Sequence, residues 1–390
     1  MTYVPAVAIA LGLSFEILAL RDPRNVLLKT VATATSLSYL ALFIIYKPAG
    51  SFTNVWPLGM NIYCLAQRCW NHLWLREPSE IRRHAARRDS GVEMKQNEVN
   101  QDLKKAPAKT DEITFADAFE IAISFLGIGW SFQAKGTPAL SLRDRERSQF
   151  IRSRLLGAVF QYLVLDILIT VANTMNPSIA SSSFLKTLFL GATMLLYVRY
   201  TMDIPCRILS VLIVSSGLGQ PTSWPPLFGS WKEAYTVRRF WSHTWHQGMR
   251  LLAEPPIHYL ADKVFVLPPG SAANKWFRIF GNFFIACLDH AYGRIIAGGN
   301  PRSDYVFFAI QPIAILVEEN VRGIAIWLGI LDAKHRSVLE KWLGYIWTAV
   351  FQCFTFLYFM EGAIHIRGRR EDQLLIEPAF GFSLFSTLLS

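Results

Sequence analysis

Apolar segments long enough to cross a lipid bilayer recur along this chain of 390 residues. An α-helix rises about 1.5 Å per residue, so about 20 consecutive apolar residues span the hydrocarbon core. Such segments lie at 4–20, 26–46, 155–173, 184–200, 276–296, 304–330 and 342–360, with weaker ones at 54–68, 205–219 and 374–390. Because a helix satisfies its own backbone hydrogen bonds in lipid, the sequence predicts an all-α, polytopic integral membrane bundle of about seven to ten transmembrane or re-entrant helices. No basic residue precedes the first segment, which predicts a retained helix rather than a cleaved signal peptide.

The composition supports the same fold class. Hydrophobic residues make up 52% of the chain and charged residues 17%, against about 25% charged residues in soluble proteins. The mean hydropathy is positive, at +0.26. These values argue against a soluble enzyme and predict membrane lipids as the surroundings of the chain.

The net charge of +10 is concentrated in four basic clusters, at 82–88, 143–154, 238–250 and 367–370. The positive-inside rule places such clusters on the cytosolic side, so we expect them to face lipid headgroups and soluble anions there, with no nucleic-acid partner. Residues 115–126 lie between the first two clusters and are apolar but include Asp117 and Glu120. This pattern predicts a helix on the membrane surface or a re-entrant helix.

The polar residues 76–114 separate two apolar regions. Their richness in Lys, Glu, Gln and Asn predicts a flexible cytosolic loop between N-terminal transmembrane helices at 1–75 and a membrane domain at 115–390. His84 and Asp89 in this loop have the spacing of the phospholipid acyltransferase box, but two common residues in a charged run are a weak signal. The five cysteines include no CxxC pair, so neither a zinc site nor a disulfide framework is indicated.

Two of the eight histidines lie in an aromatic, amphipathic stretch at 240–247. On one continuous helix of about 100° per residue, His243 and His246 share a stripe with Arg239 and Arg250, which predicts a cationic ridge. In one interpretation the ridge pairs with lipid phosphates at the interface. In the other it binds an anionic cosubstrate, and the imidazoles serve in hydrogen bonding or proton transfer. A metal site at this ridge lacks a third ligand nearby.

His290 is the other histidine with a candidate function. It follows an apolar run at 282–288 and its neighbour Asp289. An ionisable residue inside a membrane segment is costly and indicates function, here a neutral imidazole that takes a proton from an alcohol. The alternative is a histidine hydrogen-bonded within the bundle, or paired with Asp289, for helix packing. Polar, charged surroundings instead predict solvated side chains for His72, His84 and His335.

Six segments, taken together and in order, resemble a known family. They read LGIGW at 126–130, WPPLFG at 224–229, FWSHTWHQ at 240–247, FFIACLDH at 283–290, FFAIQPIAILVEE at 307–319 and LGYIW at 343–347. This ordered set resembles the wax-synthase-like branch of the membrane-bound O-acyltransferase (MBOAT) superfamily, closest to fungal members that acetylate terpenoids and meroterpenoids. Two positions depart from the pattern, since Ala286-Cys287 replaces the expected Ser-Gly and Leu126 replaces the expected Arg.

The resemblance implies an acyl-CoA-dependent O-acyltransferase. It places His290 at the catalytic histidine and His246 at the second polar position of the site. It implies direct, metal-free transfer of acetyl from acetyl-CoA to a hydroxyl of a hydrophobic, terpenoid-type alcohol in secondary metabolism. It also implies an integral membrane protein of the endoplasmic reticulum whose active site is open to cytosolic acyl-CoA. The residues expected to bind the acyl-CoA cosubstrate are Arg238, Arg239, His243, Trp245, Gln247 and Arg250.

Two related functions stay open. A long-chain wax ester synthase performs the same chemistry with a fatty acyl donor. An integral-membrane terpene cyclase protonates its substrate and uses no acyl-CoA. The acids available to such a cyclase are Asp166, Asp203, Glu318 and Glu361.

Two more distant functions are also considered. The HxxxD spacing of His258 and Asp262 occurs in soluble plant-type acyl-CoA transferases, but their DFGWG segment is absent from this sequence. Helices broken at prolines fit a transporter or a noncatalytic binding protein. The prolines concerned are Pro205, Pro225 and Pro312.

Overall fold

The computed structural model describes residues 3–48, 52–83, 113–174 and 183–364. Helices dominate these residues, and the one extended pairing found among them is an isolated bridge between Arg83 and Trp130. The ten longer α-helices in the described ranges are α1 (Tyr3–Arg21), α2 (Val26–Ile45), α3 (Phe52–Trp70), α4 (Phe115–Ile123), α5 (Arg147–Thr174), α6 (Phe184–Ser215), α7 (Gly248–Tyr259), α8 (Ala272–Ile296), α9 (Arg302–Trp327) and α10 (Val338–Ile364). The predicted all-α class is confirmed.

Helix α8, which carries His290, lies in the middle of the bundle. It contacts α3, α7 and α9. From α3 the packing continues to α2 and then α1, and from α9 it continues to α10, α6 and α5. The candidate catalytic histidine therefore lies on the helix that joins the two halves of the fold.

Three helices of the described residues are long and apolar enough to cross a membrane, judged by length and composition. They are Val26–Ile45, Arg147–Thr174 and Val338–Met360. Large apolar side chains on their surfaces are exposed, among them Leu27, Phe160 and Leu339. Exposed apolar faces of this kind are expected where a helix meets lipid.

Two apolar segments predicted as separate, 184–200 and 205–219, form the single helix α6. Pro205 lies inside this helix and does not end it, as is common in membrane helices whose neighbours compensate for the missing N–H. The predicted segment at 374–390 lies outside the described residues, and so do His84 and most of the loop predicted at 76–114.

Helix α4 covers the apolar segment that was predicted to lie on the membrane surface or to re-enter. Its nine residues are too few to cross a bilayer. Ala118 and Ile121 are buried, and α4 packs against α1, whereas Phe115 and Phe119 are exposed. The helix thus presents one apolar face to the protein and another to its surroundings.

The prediction that His72 is solvated is wrong. Its side chain is buried, with Nδ1 3.3 Å from Oε1 of the buried Glu16. Its ring lies 5.4 Å from that of Phe132. Burial lowers the pKa of His72 well below its usual value, and the charges of Arg76 and Arg68 lower it further. The local sequence looks polar, but α1 covers this end of α3. His335 is exposed, as predicted.

Candidate active site

The aromatic stretch with two histidines is not one continuous helix, so the prediction of a single cationic ridge is wrong. Residues 237–239 are α-helical, and residues 240–244 form a π-helical turn. Trp245 then has an extended backbone, with φ −80° and ψ 162°, and α7 begins only at Gly248. We call residues 237–247 the signature segment. His246 lies in its break, whereas Arg239 and His243 lie before it.

Gln247 stabilises the break. Its Nε2 donates to the carbonyls of Trp241, at 3.1 Å, and Trp245, at 2.6 Å. Its Oε1 accepts from Nε of Arg250, at 2.6 Å. Carbonyls at the end of a helix lack helical partners and need others when buried. The sequence predicts that Gln247 binds the cosubstrate. In the structure its amide group instead forms hydrogen bonds that stabilise the segment carrying His246.

Arg199 of α6 connects the signature segment to the WPPLFG loop at 224–229. Its Nη1 donates to the carbonyl of Thr244, at 3.1 Å, and its Nη2 to that of Gly229, at 2.9 Å. The guanidinium also lies 4.5 Å from the ring centroid of Phe228. Arg199 is not among the residues predicted from the sequence to belong to the site. A charge inside the apolar segment 184–200 is the signal that could have identified it.

The FFAIQPIAILVEE segment of α9 also forms hydrogen bonds to the signature segment. Nε1 of Trp241 donates to Oε1 of Gln311, at 2.9 Å. The backbone N–H of Val237 donates to Oε1 of Glu318, at 2.9 Å, so this carboxylate caps the first helical turn. These contacts explain why the two sequence motifs occur together.

His246 is buried among aromatic rings. Its ring lies 5.5 Å from that of Phe228, 5.7 Å from that of Phe125 and 5.8 Å from that of Trp245. Its Nδ1 has no hydrogen-bond partner among the described residues. A buried polar atom left without a protein partner is available to a bound substrate.

His290 is close enough to His246 for the two side chains to interact electrostatically. Burial first, and then electrostatic interactions with His290 and Arg199, lower the pKa of His246 to about 3. The imidazole of His246 is therefore neutral at physiological pH and can donate or accept a hydrogen bond. The two histidines predicted as catalytic, which belong to separate segments, thus lie in one interior region.

A hydrogen bond fixes the orientation of His290. Its Nδ1 lies 2.9 Å from the carbonyl oxygen of Ala286, one helical turn earlier. A carbonyl only accepts, so Nδ1 carries the hydrogen and Nε2 of the neutral ring carries the lone pair. The ring lies 4.7 Å from that of Phe308 and 5.8 Å from that of Phe359, and its side chain is 16% exposed. Nε2 is therefore the basic atom, held in aromatic surroundings.

Asp289 is fully buried next to His290. Its Oδ1 accepts from Sγ of Cys64 on α3, at 3.4 Å. Its Oδ2 has no hydrogen-bond partner among the described residues and lies 3.7 Å from Nδ1 of His290. A buried carboxyl without a full set of partners is costly, which indicates a role beyond packing.

Aromatic rings connect the surroundings of the two histidines. Trp245, next to His246, lies 5.1 Å from Phe356 of α10. Phe356 lies 6.3 Å from Phe359, whose ring is 5.8 Å from that of His290. Neither phenylalanine could be predicted from the sequence, because no spacing in α10 shows which of its many apolar residues lie near the two histidines. Trp245, expected to bind the cosubstrate, forms part of this aromatic wall.

The three arginines predicted to bind the cosubstrate each contact an acid. Arg238 contacts Glu319 at 2.6 Å, and Arg250 contacts Glu254 at 3.2 Å. Arg239 contacts Glu233. All three lie at least partly in solvent, where such ion pairs contribute about 0–1 kcal/mol and exchange readily for other anions.

His243 differs from His246 in its environment. Its Nδ1 lies 2.6 Å from the hydroxyl of Ser242 in an exposed position. Partial burial lowers the pKa of His243, and the charges of Arg239 and Arg250 lower it further. Arg239 and Arg250 therefore lie near His243.

Comparisons with known proteins fit this geometry. Residues 224–310, which include the signature segment and His290, match the model of the "Membrane bound O-acyl transferase family". Acetyltransferase ataH of Aspergillus terreus is 31% identical over 265 residues, covering 61% of this chain and 85% of that protein. The chain belongs to the membrane-bound O-acyltransferase family.

Two further relatives are fungal as well. Acetyltransferase ple2 of Rhodocybe pseudopiperita is 28% identical over 271 residues, covering 66% of this chain and 68% of that protein. O-Mevalon transferase yanI of Aspergillus niger is 29% identical over 287 residues, covering 65% and 62% of the two chains. The chain is thus an acyltransferase of an integral membrane family, similar to fungal acetyltransferases, as the sequence predicts.

Proposed function

We propose that this enzyme transfers an acetyl group from acetyl-CoA to a hydroxyl of a hydrophobic, terpenoid-type alcohol. One observation carries the proposal. His290, with Nε2 as its basic atom, and His246, with an unpartnered Nδ1, come together from two separate family segments in one aromatic interior. A base and a hydrogen-bonding group in apolar surroundings are what acyl transfer to a hydrophobic alcohol needs.

In the proposed reaction Nε2 of His290 removes the proton of the acceptor hydroxyl as the oxygen attacks the thioester carbonyl carbon. A carbon–oxygen bond forms and the carbonyl oxygen takes up negative charge. When the carbonyl reforms, the carbon–sulfur bond breaks and the CoA thiolate leaves. The imidazolium of His290 returns the proton to the thiolate, so the ester and free CoA are the products and the enzyme is unchanged.

His246 stabilises the oxyanion in this scheme. Because its imidazole is neutral and its Nδ1 lacks a protein partner, it can donate a hydrogen bond to the oxygen on which charge develops. A donor that is already in place costs no reorganisation during the reaction. Two contacts support this role. Gln247 donates a hydrogen bond to the carbonyl of Trp245, and the ring of Trp245 packs against that of His246.

The phosphates of acetyl-CoA bind in the proposal to the exposed basic groups of Arg238, Arg239, His243 and Arg250. Their existing ion pairs are weak enough to be replaced by phosphate oxygens. These groups belong to a basic cluster that the positive-inside rule places in the cytosol, where acyl-CoA is available. The membrane of the endoplasmic reticulum is the proposed location.

A terpene cyclase is less well supported by the geometry of the candidate acids. Oδ2 of Asp203 accepts from Gln161 and Arg207, each at 2.7 Å. Glu318 accepts from the backbone of Val237. Neither carboxyl is free to protonate a substrate. The HxxxD interpretation is also unsupported, because Asp262 is exposed and contacts Arg278 at 2.6 Å.

The test is a transfer assay with membranes that contain the protein. They are incubated with radiolabelled acetyl-CoA or palmitoyl-CoA and a hydroxylated terpenoid extract, and labelled ester is separated from free donor. Label from acetyl-CoA alone is the expected result. Label from palmitoyl-CoA alone would identify a wax ester synthase, and no transfer from either donor would contradict the proposal.

A further inference from the structure

Three cations from two distant parts of the chain converge on the ring of Tyr235. The guanidinium of Arg239 lies 4.6 Å from the ring centroid. The guanidinium of Arg336 and the ammonium of Lys341 each lie 5.7 Å from it. Arg239 is in the signature segment, whereas Arg336 and Lys341 lie on either side of the start of α10. We call Arg239, Arg336 and Lys341 the Tyr235 cation cluster.

The LGYIW motif of α10 holds the two parts together. The hydroxyl of Tyr345 donates to the carbonyl of Lys232 at 2.5 Å, and its ring lies 5.9 Å from that of Tyr235. Gly344 packs so closely on the backbone carbonyl of Tyr235 that any larger side chain would collide with it. The position of the Tyr235 backbone is therefore set by contacts with α10 that do not involve the cations.

Three acids lie near the cluster, namely Glu233, Glu340 and Glu318. Glu318 interacts electrostatically with Arg336 but accepts its hydrogen bond from the backbone of Val237. Glu233 contacts Arg239. Glu340 is shared, because it accepts from Arg336 at 3.1 Å and from Arg322 at 2.8 Å. Lys341 has no acidic partner among the described residues.

This arrangement leaves positive charge unpaired at an exposed site. Like charges gathered around one ring repel each other even in water. A bound dianion would convert this repulsion into attraction. Cations that converge without a matching number of acids are therefore a feature of anion-binding sites.

We propose that the Tyr235 cation cluster binds a phosphate monoester, and that its occupant is the 3′-phosphate of acyl-CoA. The inference rests on the proposed function, which supplies acyl-CoA as the donor. Of the phosphates of coenzyme A, the 3′-phosphate is the monoester and carries close to two negative charges at neutral pH. It also lies at the end of the molecule remote from the thioester, which suits an exposed cluster outside the aromatic interior.

The test compares two ligands that differ only in this phosphate. Binding of tritiated CoA and tritiated dephospho-CoA, which lacks the 3′-phosphate, is measured on the purified full chain in detergent. Lys341→Gln should raise the Kd for CoA about three- to fivefold, and the Arg336→Gln/Lys341→Gln variant about tenfold. The Kd for dephospho-CoA should change less than about twofold in both variants.

The single Lys341 variant is the decisive one, because Lys341 forms no ion pair whose loss could disturb the fold. Lys334→Gln is its matched control, with the same charge change at an exposed position near the start of α10. An equal rise in Kd for both ligands, no rise for CoA, or an equal rise in the control would each overturn the assignment.

A lipid headgroup is the competing source of phosphate. The same Kd values are measured in nanodiscs of phosphatidylcholine alone and with added phosphatidylserine. If Lys341→Gln alters only the effect of phosphatidylserine and leaves both Kd values in pure phosphatidylcholine unchanged, the cluster binds lipid and the assignment is wrong. Wild-type protein that binds neither CoA nor dephospho-CoA would instead contradict the proposed function itself.

Discussion

At the scale of single residues, the neutral state of His246 decides what it can contribute. Burial is the main cause that keeps it unprotonated, so in the proposed reaction it is a hydrogen-bond donor and not a cation. We expect His246→Ala to lower kcat about 10²- to 10³-fold, the range for loss of one oxyanion donor. His246→Asn supplies an N–H from a side chain of similar reach, and should retain about tenfold more activity than the Ala variant.

The kcat of the two variants under saturating acetyl-CoA measures this difference. His258→Ala serves as the control, because His258 lies outside the candidate site, and it should be near wild type. Equal loss in the Asn and Ala variants of His246 would show that hydrogen bonding is not its role.

We predict that the buried carboxyl of Asp289, next to His290, stabilises the positive charge that His290 gains when it takes the proton. The groups around this imidazole are Asp289 at 3.7 Å, the neutral His246, and Arg294. Arg294 is bound to the buried Asp304. We expect Asp289→Asn to lower kcat at least about tenfold, or about 1.4 kcal/mol in barrier, with little change in KM.

The matched control is Cys64→Ser, which keeps a hydrogen-bond donor to Asp289 and should retain near wild-type kcat. Because Asp289 stabilises the protonated imidazole, its loss should also move the acidic limb of the kcat profile to lower pH. An Asn variant with wild-type kcat and an unshifted profile would limit Asp289 to packing.

The sequence predicts some site residues and cannot predict others. His290 and His246 could be selected as candidates because an ionisable group in an apolar run, or in an aromatic amphipathic stretch, is unusual in itself. Phe356 and Phe359 could not be selected in this way, since their roles depend on which helices meet. His72 was assigned wrongly for the same reason, because its burial comes from α1, more than 50 residues earlier.

At the scale of helices, the length of apolar runs predicts where most helices lie but not where they break. Pro205 does not interrupt α6, whereas the signature segment breaks at Trp245 without a proline. The break is tolerable because Gln247 supplies hydrogen bonds to the carbonyls that lose their helical partners. Such compensation from a side chain is not visible in a helical periodicity.

The crossing of α3 and α8 depends on the absence of a side chain at Gly293, one turn beyond His290. A Cβ there would lie 2.7 Å from the carbonyl oxygen of Trp56 and 2.7 Å from Cγ of Met60. Small residues at such crossings let membrane helices approach closely. Gly293→Ala should therefore destabilise the fold by about 1–3 kcal/mol, the usual cost of overpacking.

Thermal unfolding in detergent measures this effect, with Gly323→Ala as the matched control. Gly323 lies in α9 with open space around its Cα, so an alanine there should leave Tm unchanged or raise it slightly. A Gly293→Ala protein as stable as the control would mean that the two helices are not packed as described.

At the scale of the whole molecule, the other five family segments, or residues next to them, pack around the signature segment. Phe125, which precedes LGIGW, and Phe228 pack on His246. Gln311 binds Trp241, and the LGYIW motif packs on the residues just before the segment. The order of the motifs predicts membership of the family, but only the fold shows that they surround one interior region with His290 on the central helix.

The central claim is that His290 is the base for acyl transfer, and the direct measurement is the turnover of His290→Ala at saturating acetyl-CoA and acceptor. The account predicts a kcat about 10²- to 10⁴-fold below wild type, the contribution of a positioned proton acceptor, while binding of tritiated CoA is retained. Turnover above about a tenth of wild type, in a variant that inserts into the membrane normally, would contradict it.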